Sequence, residues 1–138
     1  MNVLFICKEN VGRSQMAETL FHKITGLPAY SAATHVNVEG QPIQDRPLAA
    51  PVIRLMKKEG YDIGTNTAKQ ITKKMVSTAD HIIVLHQPDL LPDYIANSPK
   101  TQYWYCEDPC GKNDHTFSSL IEELRTRIYT FAKKYKLI

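Results

Sequence analysis

The order of elements predicts an α/β protein: a single-domain three-layer sandwich, with a four-stranded parallel sheet and helices on both faces. Three observations carry that expectation. Short continuous apolar runs, residues 2–6 and 81–85 foremost, read as strands buried on both faces. Between such runs lie stretches whose apolar residues recur three and four apart, the spacing of one helix face. The two kinds alternate along the chain, and that alternation implies parallel strands joined by helical crossovers.

Residues 2–6 form the first strand. Residues 14–25 follow as a helix, with Met16, Leu20 and Ile24 at four-residue steps and Ala17 and Phe21 beside them; Gly26 and Pro28 stop it. Residues 30–34 suit a second strand. Residues 37–46 read as a polar loop whose exit Pro47 marks. Residues 48–59 are the next helix, expected to turn Ile53 and Met56 inward and to end at Gly60. Residues 69–77 read as a short helix, 81–85 as the clearest strand, 88–96 as another short helix and 102–106 as an aromatic-rich strand. After a loop at 107–115, Phe117, Leu120, Ile121, Leu124, Ile128 and Phe131 form one apolar stripe on a final helix. Ser119 with Glu122 three residues on gives a capping-box pattern near its start.

At 138 residues the chain is expected to be one domain, residues 1–138, large enough for a core without staples. Hydrophobic residues at 43% and charged residues at 22% exclude a disordered chain. Seventeen basic against 14 acidic residues leave +3, too mild and too dispersed to argue for nucleic acid. The aromatic run Tyr103-Trp104-Tyr105 reads as strand core, not as a base-stacking platform. No apolar run approaches the length of a membrane span, and no leader pattern precedes the first strand, so a cytoplasmic location is expected. Three cysteines, Cys7, Cys106 and Cys110, make no disulfide framework and suit a reducing compartment. Cys106 and Cys110 with His86 and His115 lack a second paired set of ligands, so no metal and no other cofactor is expected.

In a parallel sheet, ligands bind beyond the carboxyl ends of the strands. The chemistry is therefore expected near Cys7, Thr34, His86 and Cys106. The loop Cys7-Lys8-Glu9-Asn10-Val11-Gly12-Arg13-Ser14 joins the first strand to the first helix. A loop of that length turns successive N–H groups inward as an anion nest, and the helix N-terminus adds partial positive charge. A cysteine at its base is set up as a thiolate nucleophile. Arg13 offers a planar fork for two oxygens of a tetrahedral anion, Ser14 a hydroxyl for the sulfur, and Asn10 a tolerance for left-handed backbone. Lys8, Glu9, Asn10, Val11, Gly12, Arg13 and Ser14 are thus the candidate binding residues, and Cys7 and Arg13 are candidate catalytic ones.

The run Val3-Leu4-Phe5-Ile6-Cys7, then Asn10, Arg13-Ser14 and Met16-Ala17-Glu18, resembles the low-molecular-weight protein tyrosine phosphatases and the arsenate reductases that share their fold. Ser31-Ala32-Ala33, Gly60-Tyr61-Asp62-Ile63, the strand before His86 and Glu107-Asp108-Pro109 stand in the family order, so the resemblance covers nearly the whole chain. It implies a cysteine-dependent phosphomonoester hydrolase with Asp108 as general acid. The alternative is an arsenate reductase using Cys7 with an external thiol, or with Cys106 or Cys110 as resolving group. The implied partners are a phosphorylated protein or a small phosphate or arsenate, and for a reductase a small thiol or thioredoxin-type reductant.

Four positions depart from the family pattern. The frequent second cysteine before the arginine is Gly12, and the usual glycine before the asparagine is Glu9. The residue after Asp108-Pro109, aromatic in tyrosine-specific members, is Cys110. The resolving cysteine pair of thioredoxin-coupled reductases is absent from the stretch that begins at His86. Hydrolysis needs only Cys7, Arg13, Asp108 and the nest, so the phosphatase reading leads. Cys110, or failing it Cys106, is a candidate to protect an oxidised Cys7 as a disulfide.

Overall fold

The computed structural model describes residues 1–36, 39–88, 91–109 and 111–138. Its strands are β1 (Val3–Cys7), β2 (Tyr30–Ala33), β3 (His81–Val84) and β4 (Thr101–Tyr103), and its helices α1 (Arg13–Thr25), α2 (Ala50–Lys58), α3 (Lys73–Thr78), α4 (Asp93–Ala96) and α5 (Asp114–Lys134). The sheet runs β2-β1-β3-β4 and every pairing is parallel. Ile6 stands in register between Ala32 and Val84, and Cys7 faces Ala33.

The two faces of β1 feed two cores. Val3, Phe5 and Cys7 point to the layer of α1, α2 and α5, where Phe5 packs on Phe21 and Trp104 and Phe131 closes the aromatic group. Leu4 and Ile6 point to the smaller core with Val76 of α3 and Ile95 of α4. Helices on both faces explain why β1 is apolar at every position. Trp104 is core as expected, while Tyr103 and Tyr105 beside it are exposed.

Several boundaries differ from the sequence expectation, each for a local reason. Residues 69–71 are extended, not helical: Ala33 donates its N–H to Lys69 O at 2.7 Å and Ile71 donates to Ala33 O at 2.8 Å, so this segment lengthens the β2 edge. The helix starts later, capped by Thr72, whose side chain accepts from Met75 N. The helix expected over 88–96 occupies only α4, and residues 89 and 90 lie outside the described residues. Residues 47–49 form a 3-10 turn before α2, which buries Val52, Leu55 and Met56 while Ile53 is half-buried. Ser119 does not cap α5. Asn113 does, its side chain accepting from Thr116 N, because Asn113-Asp114 offers a cap and a favourable first-turn acid upstream. The α1 terminus matches the expectation, with Gly26 left-handed at φ 74° and donating to His22 O.

The strand order reverses at β1. One crossover leads outward to β2, and the next returns past β1 to β3. The carboxyl ends of β1 and β3 therefore flank a crevice that no crossover covers.

Candidate active site

Cys7 ends β1 and opens the loop that rises into this crevice. Thr34 N donates to Cys7 O and His35 N to Lys8 O, so the base of the loop is strapped to the end of β2. The loop then turns back through Asn10 at φ 58°, a left-handed conformation that asparagine adopts more readily than most residues. Asn10 is fully buried and acts as the hub of the loop. Its Oδ1 accepts from Lys69 N at 3.0 Å and from Gln15 Nε2 at 3.3 Å, and its Nδ2 donates to Ser14 Oγ at 2.7 Å and Ser31 Oγ at 2.9 Å. The backbone N–H of Lys69 is an unambiguous donor, so it sets which end of the Asn10 amide is oxygen.

That assignment orients the next bond. Ser14 Oγ lies 2.9 Å from Cys7 Sγ. Ser14 accepts from Asn10 through one lone pair, so its hydroxyl is held beside the sulfur with its proton free for it. Asn10 N donates to the same sulfur at 3.3 Å. The sulfur thus has a backbone N–H and a hydroxyl within hydrogen-bond reach. Gly12 and Arg13, the cap and first residue of α1, line the same cleft as Cys7.

Arg13 is buried at the start of α1. Its Nη1 donates to Cys106 O at 2.9 Å and to Leu85 O at 3.5 Å, carbonyls just past β4 and β3. Its Nη2 lies 3.9 Å from Asp108 Oδ2. The fork is thus tied on one side to the sheet ends, which leaves its other side toward the cleft. Cys7, Glu9, Gly12, Arg13 and Asp108 line one cleft. The Asp108 side chain is 57% exposed at its mouth, beside the buried Pro109. Glu107 forms an ion pair with Lys112 that spans the loop carrying Asp108.

Of the other residues singled out from sequence, Cys106 is buried and its Sγ donates to Trp104 O at 3.2 Å. Burial pushes its thiol up to about 11, aided by Glu123. Its contribution to the site is its carbonyl, which holds Arg13. Cys7 and Cys106 are both free thiols, and Cys110 lies outside the described residues. His86 is buried beyond β3, donating from Nδ1 to Gln87 O at 2.7 Å.

Sequence reasoning missed part of the cleft wall. Arg46, Leu48, Val52 and Phe117 line it as well. Ser31, Gln15 and Lys69 N, which complete the Asn10 hub, were also not anticipated. Ser31 belongs to the motif Ser31-Ala32-Ala33, and a buried serine in a strand is a signal that it has a polar partner.

A sequence model of the family described as low molecular weight phosphotyrosine protein phosphatase matches residues 2–137. The chain belongs to that family. It is an enzyme of the phosphatase type, in a family whose chemistry depends on a cysteine nucleophile. It is 30% identical over 132 residues to an arsenate reductase of Staphylococcus epidermidis, covering 94% of each chain. The low-molecular-weight protein tyrosine phosphatase of T. tengcongensis superposes with a TM-score of 0.79 at 28% identity, over 97% of this chain and 99% of that one. An arginine phosphatase of Geobacillus stearothermophilus shares the fold at a TM-score of 0.81 and 22% identity, over 98% and 92% of the chains. Among the described residues no helix is long and apolar enough to cross a membrane.

Proposed function

We propose that the chain, as one family domain over residues 1–138, hydrolyses aryl phosphomonoesters through a thiophosphate on Cys7. The observation that supports this reading is the Ser14 hydroxyl held 2.9 Å from Cys7 Sγ, at a cleft that Cys7 lines together with Arg13 and Asp108. The thiolate attacks phosphorus in line, forming the S–P bond as the P–O bond to the leaving group breaks. Backbone N–H groups of residues 8 to 13 and the Arg13 fork stabilise the charge that spreads over the equatorial oxygens. Asp108 gives its proton to the departing oxygen. Its carboxylate then takes a proton from water, which attacks phosphorus and expels the sulfur as a thiolate stabilised by Ser14. Inorganic phosphate leaves. Every step uses groups of this chain and water, so no metal or organic cofactor takes part.

A second reading, arsenate reduction, draws on the curated relatives named arsenate reductase. Arsenate would form the corresponding thio-arsenate on Cys7. A thiol would attack the sulfur, the electron pair of the S–As bond would reduce arsenic to arsenite, and a disulfide would remain. Cys106 is a poor resolving thiol, being buried and held protonated. The resolving thiol would then be Cys110, which lies outside the described residues, or an external small thiol or thioredoxin-type reductant. Such partners, like the phosphorylated protein substrate itself, fit a cytoplasmic enzyme.

The discriminating experiment measures para-nitrophenyl phosphate and arsenate side by side, with chelator present and with each class of thiol donor. Cys7-dependent release of nitrophenol without arsenite is the expected result. Arsenite production that outpaces hydrolysis would transfer the assignment to the reductase.

A further inference from the structure

Glu9 poses an electrostatic problem. It places a carboxylate two residues after Cys7, in the loop that is to hold an oxyanion. In the structure that carboxylate faces Arg46, whose Nη2 lies 3.7 Å from Glu9 Oε1 across the mouth of the same cleft. This separation exceeds a hydrogen bond, so the contact is Coulombic. Among the described residues no hydrogen bond engages the Arg46 guanidinium, and its N–H groups remain available to a ligand.

Arg46 is held in place by its backbone. Pro47 restricts the residue before it to extended conformations, and Arg46 sits at φ −99° and ψ 111°. Its N–H donates to Ile43 O at 3.0 Å, and its carbonyl accepts from Ala49 N at 2.9 Å. Ile43 is fully buried, so these short turns anchor the arginine at the cleft lip. Its side chain is 21% exposed, which makes it a wall of the cleft and not a freely solvated surface charge.

We propose that Arg46 is a specificity-determining residue of the anion site. It offsets the charge of Glu9, and the pair together sets how tightly the nest holds inorganic phosphate and related oxyanions. Arg13 and the backbone N–H groups attract the anion from within the nest, and Glu9 opposes it from the rim. Arg46 cancels that opposition by pairing with Glu9. The site therefore takes a phosphoryl group without retaining the phosphate product. The inference rests on the proposed function only in that the nest binds a tetrahedral oxyanion.

The test compares wild type with Glu9→Gln, Arg46→Met, Arg46→Lys and the double variant Glu9→Gln/Arg46→Met. Each is titrated calorimetrically with inorganic phosphate and assayed with para-nitrophenyl phosphate. Arg46→Met should weaken phosphate binding about tenfold, because a rim carboxylate then faces the anion uncompensated. Glu9→Gln should tighten it several-fold, since the rim then carries no carboxylate to oppose the anion. In the double variant the loss on removing Arg46 should shrink to about threefold or less. Arg46→Lys should stay near wild type, as a charge role requires and a role in wall packing does not. Raised salt should narrow the gap between Arg46→Met and wild type. Equal losses from Arg46→Met with and without Glu9 would overturn the proposal, as would no loss at all. The two readings fail separately. Phosphate binding with the expected coupling but no Cys7-dependent turnover removes the hydrolase alone. Cys7-dependent turnover with additive losses removes only the role of Arg46.

Discussion

Replacing Asn10 with alanine tests whether the nest is held open by one side chain. The change removes donation to Ser14 and Ser31 and acceptance from Lys69 N and Gln15. Each such bond contributes about 0.5–1.5 kcal/mol net, and stranding a donor such as the half-buried Lys69 N–H costs up to about 1–3 kcal/mol. Alanine at φ 58° adds about 1 kcal/mol of backbone strain. These terms overlap, so a total of about 4–6 kcal/mol is expected. A chain of this size has about 7–15 kcal/mol of stability, so the variant should fold but melt much earlier. Asn10→Gly, free of the left-handed penalty, should recover about 1 kcal/mol of the loss. Asn10→Asp keeps the acceptor for Lys69 N and should fall between wild type and Asn10→Ala. Urea unfolding followed by circular dichroism gives these differences directly. Asn10→Ala within about 1 kcal/mol of wild type would refute the hub, because a single buried hydrogen bond is worth as much. Stability equal to that of Asn10→Gly would refute the strain component.

Alkylation at pH 8 with peptide mapping should label Cys7 and spare Cys106 until the chain is unfolded, since burial keeps the Cys106 thiol protonated up to about 11; rapid native labelling of Cys106 would contradict that burial. Glu59 joins α2 to Lys23 of α1 and Arg125 of α5. Burial opposes its charge, but the Arg125 hydrogen bond and both cations outweigh it and lower its titration below 4.5. The stabilisation is therefore present above pH 4.5 and lost as pH falls through the lowered value, so Glu59→Gln should cost about 1 kcal/mol at pH 7 and little at pH 3 in thermal melts. Glu18 behaves oppositely: burial raises it above 4.5 despite Lys69 and the Ser31 hydrogen bond. Wild-type stability should decline as pH climbs from 4.5 through that raised value, and Glu18→Gln should lack this decline. A mutant that keeps the full decline would remove Glu18 as its source.

What could be read from the sequence was what is local. Cys7 through Ser14 is one strand, one loop and one helix start, so its chemistry is contained in eight consecutive positions. The apolar runs and stripes placed both cores because burial imposes periods of two and 3.6 directly on the chain. Arg46 was passed over as part of a polar loop, since only the tertiary fold brings it to Glu9. Asn10 was foreseen for its left-handed backbone, but its hub partners at 31 and 69 are brought to it by the sheet edge. That same edge drew residues 69–71 into extended pairing against their helical pattern. The start of α5 was displaced because two sequence patterns compete there, and the asparagine cap stands upstream of the serine one.

The most direct test of the central claim is to trap the intermediate. Asp108→Asn, mixed with an aryl phosphate bearing a good leaving group and quenched in acid within a turnover, should carry a phosphoryl group on the peptide that contains Cys7. Leaving-group departure then needs little help from an acid, whereas hydrolysis of the thiophosphate lacks its base, so the adduct should accumulate. The adduct should be absent from Cys7→Ser. A phosphoryl group on any other residue, or steady turnover by Cys7→Ser at the wild-type rate, would contradict the account.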